Sequence, residues 1–286
     1  MEKATKKWFP LFALPTLISF GIAFLSPFFI GIYLSFCRFQ TLIDAEFVGF
    51  DNYVMAFSPD KSTGKTFFSA LWFTTKFTIV SAITINLIAF IFAMLLTKAI
   101  KGTNLFRTIF FMPNLIGGLV LGYIWIMIIN GVLRYFDATI TTDANYGFWG
   151  LVILMNWQMI GYMMIIYISG LQNVSPDLIE AADIDGANSW QKLIHVTIPQ
   201  IMPSITICLF LTLTNSFKLF DQNYSLTACD PNNETRMLAL DIYKTYYNGK
   251  TVYHGIGQAK AVVFFILVAA IALTQLYLTR SKEVEN

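Results

Sequence analysis

The most chemically loaded stretch of this 286-residue sequence runs from Ser175 to Pro199, where charged and small residues interrupt two long apolar runs. Ser175 is placed to cap a helix, Pro176 suits its first position, and Asp177 lies near the positive end of the helix dipole. Asp185-Gly186 signals a turn, Asn188 or Ser189 can cap a second short helix, and Pro199 can open the apolar run that follows. The reading is helix, turn, helix, lying flat. On the first helix Leu178, Ala181 and Ala182 share one face, with Glu180 and Asp183 offering charge beside it. Small side chains flanked by carboxylates suit insertion into a partner's groove, which is docking chemistry rather than catalysis.

A second group of polar residues lies inside apolar runs: Asn156, Trp157, Gln158 and Tyr162 before this segment, and Thr212, Asn215, Ser216 and Lys218 after it. Thr212, Asn215, Ser216 and Leu219 follow the spacing i, i+3, i+4, i+7 and so line one face of a helix. Polar groups at such depth face a bundle interior or a wet cavity. They can hydrogen-bond the hydroxyls of a solute, or they can hold helices together.

Other candidate chemistries fail on their residues. Gly64-Lys65-Thr66 imitates the end of a phosphate-binding loop, but the required upstream glycine is Pro59, which has no N–H to offer a phosphate. His195 and His254 fall on opposite sides of the expected topology and form no metal pair, and no hydrolytic triad or zinc motif is present. Cys37, Cys208 and Cys229 have no C-x-x-C spacing. Catalysis, a metal and a cofactor are therefore not expected in this chain.

The elements that must position these groups are membrane helices. The chain is 56% hydrophobic and 13% charged, against roughly 25% charged residues in soluble domains. A net charge of +2 without a basic stripe excludes a nucleic-acid partner. Six apolar stretches can cross a bilayer as helices, near Trp8 to Phe36, Phe67 to Leu96, Leu105 to Asn130, Phe148 to Gly170, Ile201 to Phe220 and Ile256 to Leu278. Lys76 and Lys260 fall inside two of them, where their stems are expected to snorkel to the interface. The cation distribution puts both termini inside: Lys3, Lys6, Lys7, Lys98, Lys101, Arg107, Lys192, Arg280 and Lys282 fall in cytoplasmic segments. Arg38, Lys61, Lys65, Arg134, Arg236, Lys244 and Lys250 fall outside, so the bias rests mainly on the first two cytoplasmic segments. The first span is expected to be a retained anchor rather than a signal peptide. Nothing marks a second domain, so residues 1–286 read as one integral unit, with the loop at 171–199.

At Glu180, Ala181, Ala182, Gly186 and Pro199 the sequence resembles the binding-protein-dependent transporter permeases, whose signature is Glu-Ala-Ala followed by a Gly and then a Pro at these intervals. Phe47-Val-Gly-Phe-Asp-Asn-Tyr53 and Asn104-Leu-Phe-Arg-Thr-Ile-Phe-Phe-Met-Pro113 extend the likeness, which is nearest to the maltose and multiple-sugar branch. The resemblance implies an all-α polytopic membrane protein with six transmembrane helices and a cytoplasmic coupling helix. Glu180, Ala181, Ala182, Asp183 and Gly186 would dock on an ATP-binding subunit, the Glu meeting a cation there. The implied partners are a second permease subunit, two ATP-binding subunits that hold the ATP, an extracytoplasmic solute-binding protein and the bilayer of a bacterial inner membrane. A neutral sugar or oligosaccharide would lie against the fourth and fifth spans, at Asn156, Tyr162, Thr212, Asn215 and Ser216. Trp157 could stack on a sugar face. The alternatives are a glycerol phosphate ester, for which only Lys218 offers a cation, and a secondary transporter coupled through Asp221, which reads as the outer end of the fifth span. The loop departs from the positive-inside pattern, since Asp177, Asp183 and Asp185 outnumber Lys192.

Overall fold

The computed structural model describes residues 9, 13–41, 43–98, 102–228, 231–247 and 252–280. In chain order these form α1 (Ala13–Leu34), a two-residue antiparallel pair β1 (Cys37–Arg38) and β2 (Glu46–Phe47), α2 (Asp51–Phe57) and α3 (Ser62–Thr97). Then come α4 (Thr103–Phe111), a 3-10 turn (Met112–Leu115), α5 (Gly118–Leu133) and α6 (Ala144–Gln172). The remainder comprises α7 (Pro176–Ile184), α8 (Ser189–Gln200), α9 (Met202–Phe217), α10 (Asp221–Leu226), α11 (Leu238–Tyr246) and α12 (Val252–Arg280).

Proline explains the irregular turns. Pro27 and Pro199 have no N–H, and each is preceded by a π-turn, at Gly21–Leu25 and Leu193–Thr197. The residue before each proline, Ser26 or Ile198, bonds the carbonyl five residues back, at Gly21 or Leu193.

Among the described residues five helices are long and apolar enough to cross a membrane, and a sixth crossing is the pair α8 and α9, bent by 71° at Ile201. The third and fifth spans differ from the sequence expectation. The third starts at Gly118 rather than Leu105, because Pro113 opens the 3-10 turn and Gly117 is extended. In the fifth, Pro199 ends the bent lead-in helix, and Pro203 is the proline in the first turn of α9. Trp8, Lys3, Lys6, Lys7, Lys101, Cys229, Lys250 and Lys282 lie outside the described residues, as does the Arg280 side chain.

The chain divides into two compact units, Met1–Phe67 with Ile242–Phe265, and Phe68–Asp241 with Ile266–Asn286. In the first, the buried Asn52 amide donates to the carbonyls of Ser35 and Cys37 at 3.0 and 2.8 Å, tying α2 to the end of α1. Lys260 does not snorkel. It is fully buried, donates to Thr245 at 3.1 Å and lies 5.9 Å from the Phe67 ring centroid, because this stretch of α12 packs against protein rather than lipid. In the second unit Lys76 is exposed and lies over the Phe148 ring, 4.9 Å from its centroid.

The core of the second unit is built around α6, whose buried residues include Leu151, Leu154, Met155, Met163 and Met164. Two glycines set how closely its neighbours approach. A Cβ at Gly161 would stand 1.8 Å from the Phe110 carbonyl oxygen, so α4 rides directly on α6, and a Cβ at Gly122 would stand 1.7 Å from the Ser225 hydroxyl, so α10 seats on α5. A polar knot crosses three helices: the Asn86 amide of α3 donates to Thr212 of α9 at 3.2 Å and accepts from the Tyr167 hydroxyl of α6 at 2.8 Å.

Candidate functional site

The segment between α6 and α9 folds as its punctuation suggests, with one local correction. Ser175 occupies the N-cap position of α7 with Pro176 at its first turn, but the Ser175 side chain makes no capping bond. The cap that does form is at α8, where Asn188 and Gln191 exchange side-chain bonds with each other's backbone N–H at 2.9 and 2.8 Å. Between them α7 ends in a Schellman turn: Ala187 N–H bonds the Ala182 carbonyl, Gly186 N–H bonds that of Asp183, and Gly186 takes φ +75°. Only a glycine adopts that conformation without a Cβ penalty, which is why the spacing from Ala182 to Gly186 matters. Lys192 donates to Asp183, bracing α8 against α7. Glu180 and Ala181 are exposed, Ala182 is half-buried, and Leu178, Ile184 and Trp190 present apolar surface nearby. Glu180 also lines an apolar cleft of about 950 Å³, shared with Lys98 at the end of α3 and with Trp190.

A second cavity, of about 560 Å³, lies inside the second unit, within the range typical of small-molecule sites. Its wall on α6 runs from Met155 to Tyr162, and Gln158 is the central residue of the 29 in that helix. The cavity therefore sits beside the middle of α6. The other walls come from chain breaks: Asn114 in the 3-10 turn, and Lys218 to Gln222 between α9 and α10, with Asn215 one turn before. Breaks of this kind expose backbone and polar side chains, which membrane proteins tolerate where they line a wet cavity. Gln222 donates to Gln158 at 2.7 Å, and Gln158 donates to the Ile116 carbonyl at 3.3 Å, so two largely buried amides tie the three walls together.

The five expected solute residues separate. Tyr162 and Asn215 line the cavity. Thr212 is fully buried in the knot with Asn86, also donating to the Cys208 carbonyl at 2.7 Å. Asn156 donates back to the Val152 carbonyl of its own helix, while its Oδ1, like the Ser216 hydroxyl, is buried with no hydrogen-bond partner among the described residues. Trp157 packs edge-on against Trp125, with ring centroids 5.7 Å apart, and is not part of the cavity wall. The i, i+3, i+4 spacing correctly put three polar groups on one face, but that face meets both the cavity and α3.

Sequence reading missed Asn114 and Gln222, because the breaks that aim them inward leave little trace beyond Pro113 and Gly117. Lys218 and Asp221 stand at and just beyond the C-terminal end of α9, the end of the fifth span as expected. Ser204 packs on Gly170; twelve residues from Gly170 back along α6 is Gln158, and twelve residues onward from Ser204 is Ser216. The C-terminal end of α9 thus meets α6 beside Gln158, which brings Lys218 and Asp221 to the cavity wall.

Residues 85–283 match the family described as binding-protein-dependent transport system inner membrane components. The chain belongs to that family. It is a multi-pass membrane permease subunit of a binding-protein-dependent importer and not an enzyme. The permease is 46% identical to the probable starch degradation products transport system permease protein AmyD of Thermoanaerobacterium thermosulfurigenes, over 97% of this chain and 96% of that one. It is 30% identical to the multiple sugar-binding transport system permease protein MsmF of Streptococcus mutans, over 98% and 97%. Its fold is similar to a chain of a bacterial transporter that imports the acidic polysaccharide alginate, with a TM-score of 0.80, 22% identity and 98% of each chain covered.

Proposed function

We propose that this permease carries a neutral sugar or oligosaccharide through the cavity at the midpoint of α6, by alternating access, with ATP bound and hydrolysed by two separate subunits that dock on α7. The observation that carries this reading is the cavity wall itself: Asn114, Gln158, Tyr162, Asn215 and Gln222 offer neutral donors and acceptors, the chemistry that suits hydroxyl groups. The relatives' names point to the same solute class, as starch degradation products and multiple sugars. A glycerol phosphate ester fits less well, since a phosphate stripped of water calls for paired cations and Lys218 shares the wall with Asp221. The buried, unpartnered atoms of Asn156 and Ser216 support a second conformation in which they gain partners. A second permease subunit and an extracytoplasmic solute-binding protein complete the assembly, and no cofactor is assigned to this chain.

Uptake by the complete complex in proteoliposomes tests the site. Asn215→Ala combined with Tyr162→Phe is expected to cut sugar uptake about tenfold or more while basal ATPase activity and assembly persist, since two hydrogen bonds to solute are lost at roughly 1 kcal/mol each. Unchanged uptake in this double variant would remove the cavity from the pathway.

The orientation belongs to the same proposal: both termini and α7 on the cytoplasmic side, with the turn around Asn232 outside. An impermeant thiol reagent added to intact cells is expected to label a cysteine placed at Asn232 and to spare one placed at Asn188. The reverse pattern inverts the topology.

A further inference from the structure

Two ionisable side chains open on the cavity beside the middle of α6. Lys218 and Asp221 both line its wall and both are exposed to it. Among the described residues neither side chain has an ion-pair or hydrogen-bond partner, and they do not pair with each other. Their neighbours are held differently: Gln222 is bonded to Gln158, and the Ser225 hydroxyl turns back to the Asp221 carbonyl. Charges inside a membrane are costly and are tolerated where a wet cavity or a ligand solvates them. A roughly spherical cavity of about 560 Å³ is about 10 Å across, so a charged group inside it stays within about one Debye length of both residues at low ionic strength.

We propose that Lys218 and Asp221 are specificity-determining residues, an opposed pair whose charges cancel, so that the cavity keeps a preference for uncharged polyols over both anionic and cationic ones that either residue alone would tilt. The proposal rests on the reading of this cavity as the solute site. A hydroxyl both donates and accepts, so adjacent hydroxyls of one sugar can serve the two groups together, one donating to the Asp221 carboxylate and the next accepting from the Lys218 ammonium. A uronate gains from Lys218 what it loses to Asp221, and a glucosamine residue the reverse. Neither recovers the water it leaves behind, so the neutral sugar binds best. The net charge of the pair, rather than either residue alone, sets the preference.

The test is binding of three trisaccharides, a neutral glucan, a uronate and a glucosamine oligomer, to the reconstituted complex of both permeases and both ATP-binding subunits without the solute-binding protein. Saturation-transfer NMR reads the affinities at low ionic strength. In the wild type the neutral glucan is expected to bind about tenfold tighter than either charged sugar. Lys218→Met leaves Asp221 unopposed and is expected to improve glucosamine binding about tenfold while weakening uronate binding, at unit charges about 8 Å apart in a partly hydrated site. Asp221→Asn is expected to do the opposite, and the double variant to restore the preference for the neutral sugar, which also reports that the single variants fold. If the neutral glucan binds the wild type but all four proteins rank the sugars identically, the pair is not a charge filter. If no sugar binds the wild type, the reading of the cavity as the solute site fails, and this inference with it.

Discussion

Glu180→Lys is expected to abolish solute uptake by the assembled transporter while leaving the permease folded and inserted, and to leave ATP hydrolysis unresponsive to solute. The fold should tolerate the change, because Glu180 is exposed, lies outside the core and accepts no hydrogen bond from any described residue. Surface substitutions of that kind shift stability by no more than about 0.5 kcal/mol. What changes is the face offered to a partner. Leu178, Ala181, Ile184 and Trp190 present apolar or small surface, and Glu180 adds a carboxylate that Lys192 does not engage, since Lys192 bonds Asp183. Reversing a charge at a partly desolvated contact turns attraction into like-charge repulsion and costs about 2–5 kcal/mol, much of it from the partner's cation left unpaired. Uptake and ATPase activity measured together on proteoliposomes check this, with Asp185→Lys as the comparison, since Asp185 stands at the helix end beside the Gly186 turn. Normal uptake in Glu180→Lys would remove α7 from the coupling interface.

The helix-turn-helix of α7 and α8 was legible because its signals are local. A proline at a first turn, a glycine at φ +75° and an Asn with a Gln three residues on each act on neighbours within one turn. The membrane class was equally plain from long apolar runs. The cavity was only half legible, since Tyr162 and Asn215 point into it but Thr212 and Ser216, on the same helical face, do not. Helical periodicity fixes which residues share a face and says nothing about what that face meets. Here α9 meets α3 through Thr212 and the cavity through Asn215, a division set by tertiary packing. Lys260 carries the same lesson, because a lysine in an apolar run reads as a snorkelling side chain until the helix is seen to bury it against Thr245 and Phe67. Lys218 and Asp221 were legible as the end of the fifth span, but that this end meets a cavity beside the middle of α6 was not, because hydropathy locates a span and not the bend at Ile201.

The permease is expected to lose its assembled fold when the closest approach of a glycine to another helix's backbone is blocked. At Gly161 of α6 an added Cβ would stand 1.8 Å from the Phe110 oxygen, 2.2 Å from the Phe110 carbonyl carbon and 2.7 Å from the Phe111 nitrogen. All three are backbone atoms, so no rotamer change relieves the clash, and α4 must lift away as a unit. Lifting α4 moves the 3-10 turn that follows it, and with it Asn114 and the Ile116 carbonyl that receives Gln158. The cavity wall and the packing of α6 are then lost together. Overpacking on this scale costs about 3 kcal/mol or more, so Gly161→Leu is expected to give little folded complex, and Gly161→Ala a complex that melts well below the wild type in detergent. Gly131 supplies the contrast, since it lies within α5 and a Cβ there meets nothing within 4 Å. Gly131→Ala gains helix propensity worth up to about 1 kcal/mol without a clash and is expected to melt at or above the wild-type temperature. Equal melting temperatures for Gly161→Ala and Gly131→Ala would mean that α4 does not ride on α6 at Gly161, and that the floor of the cavity is held in some other way.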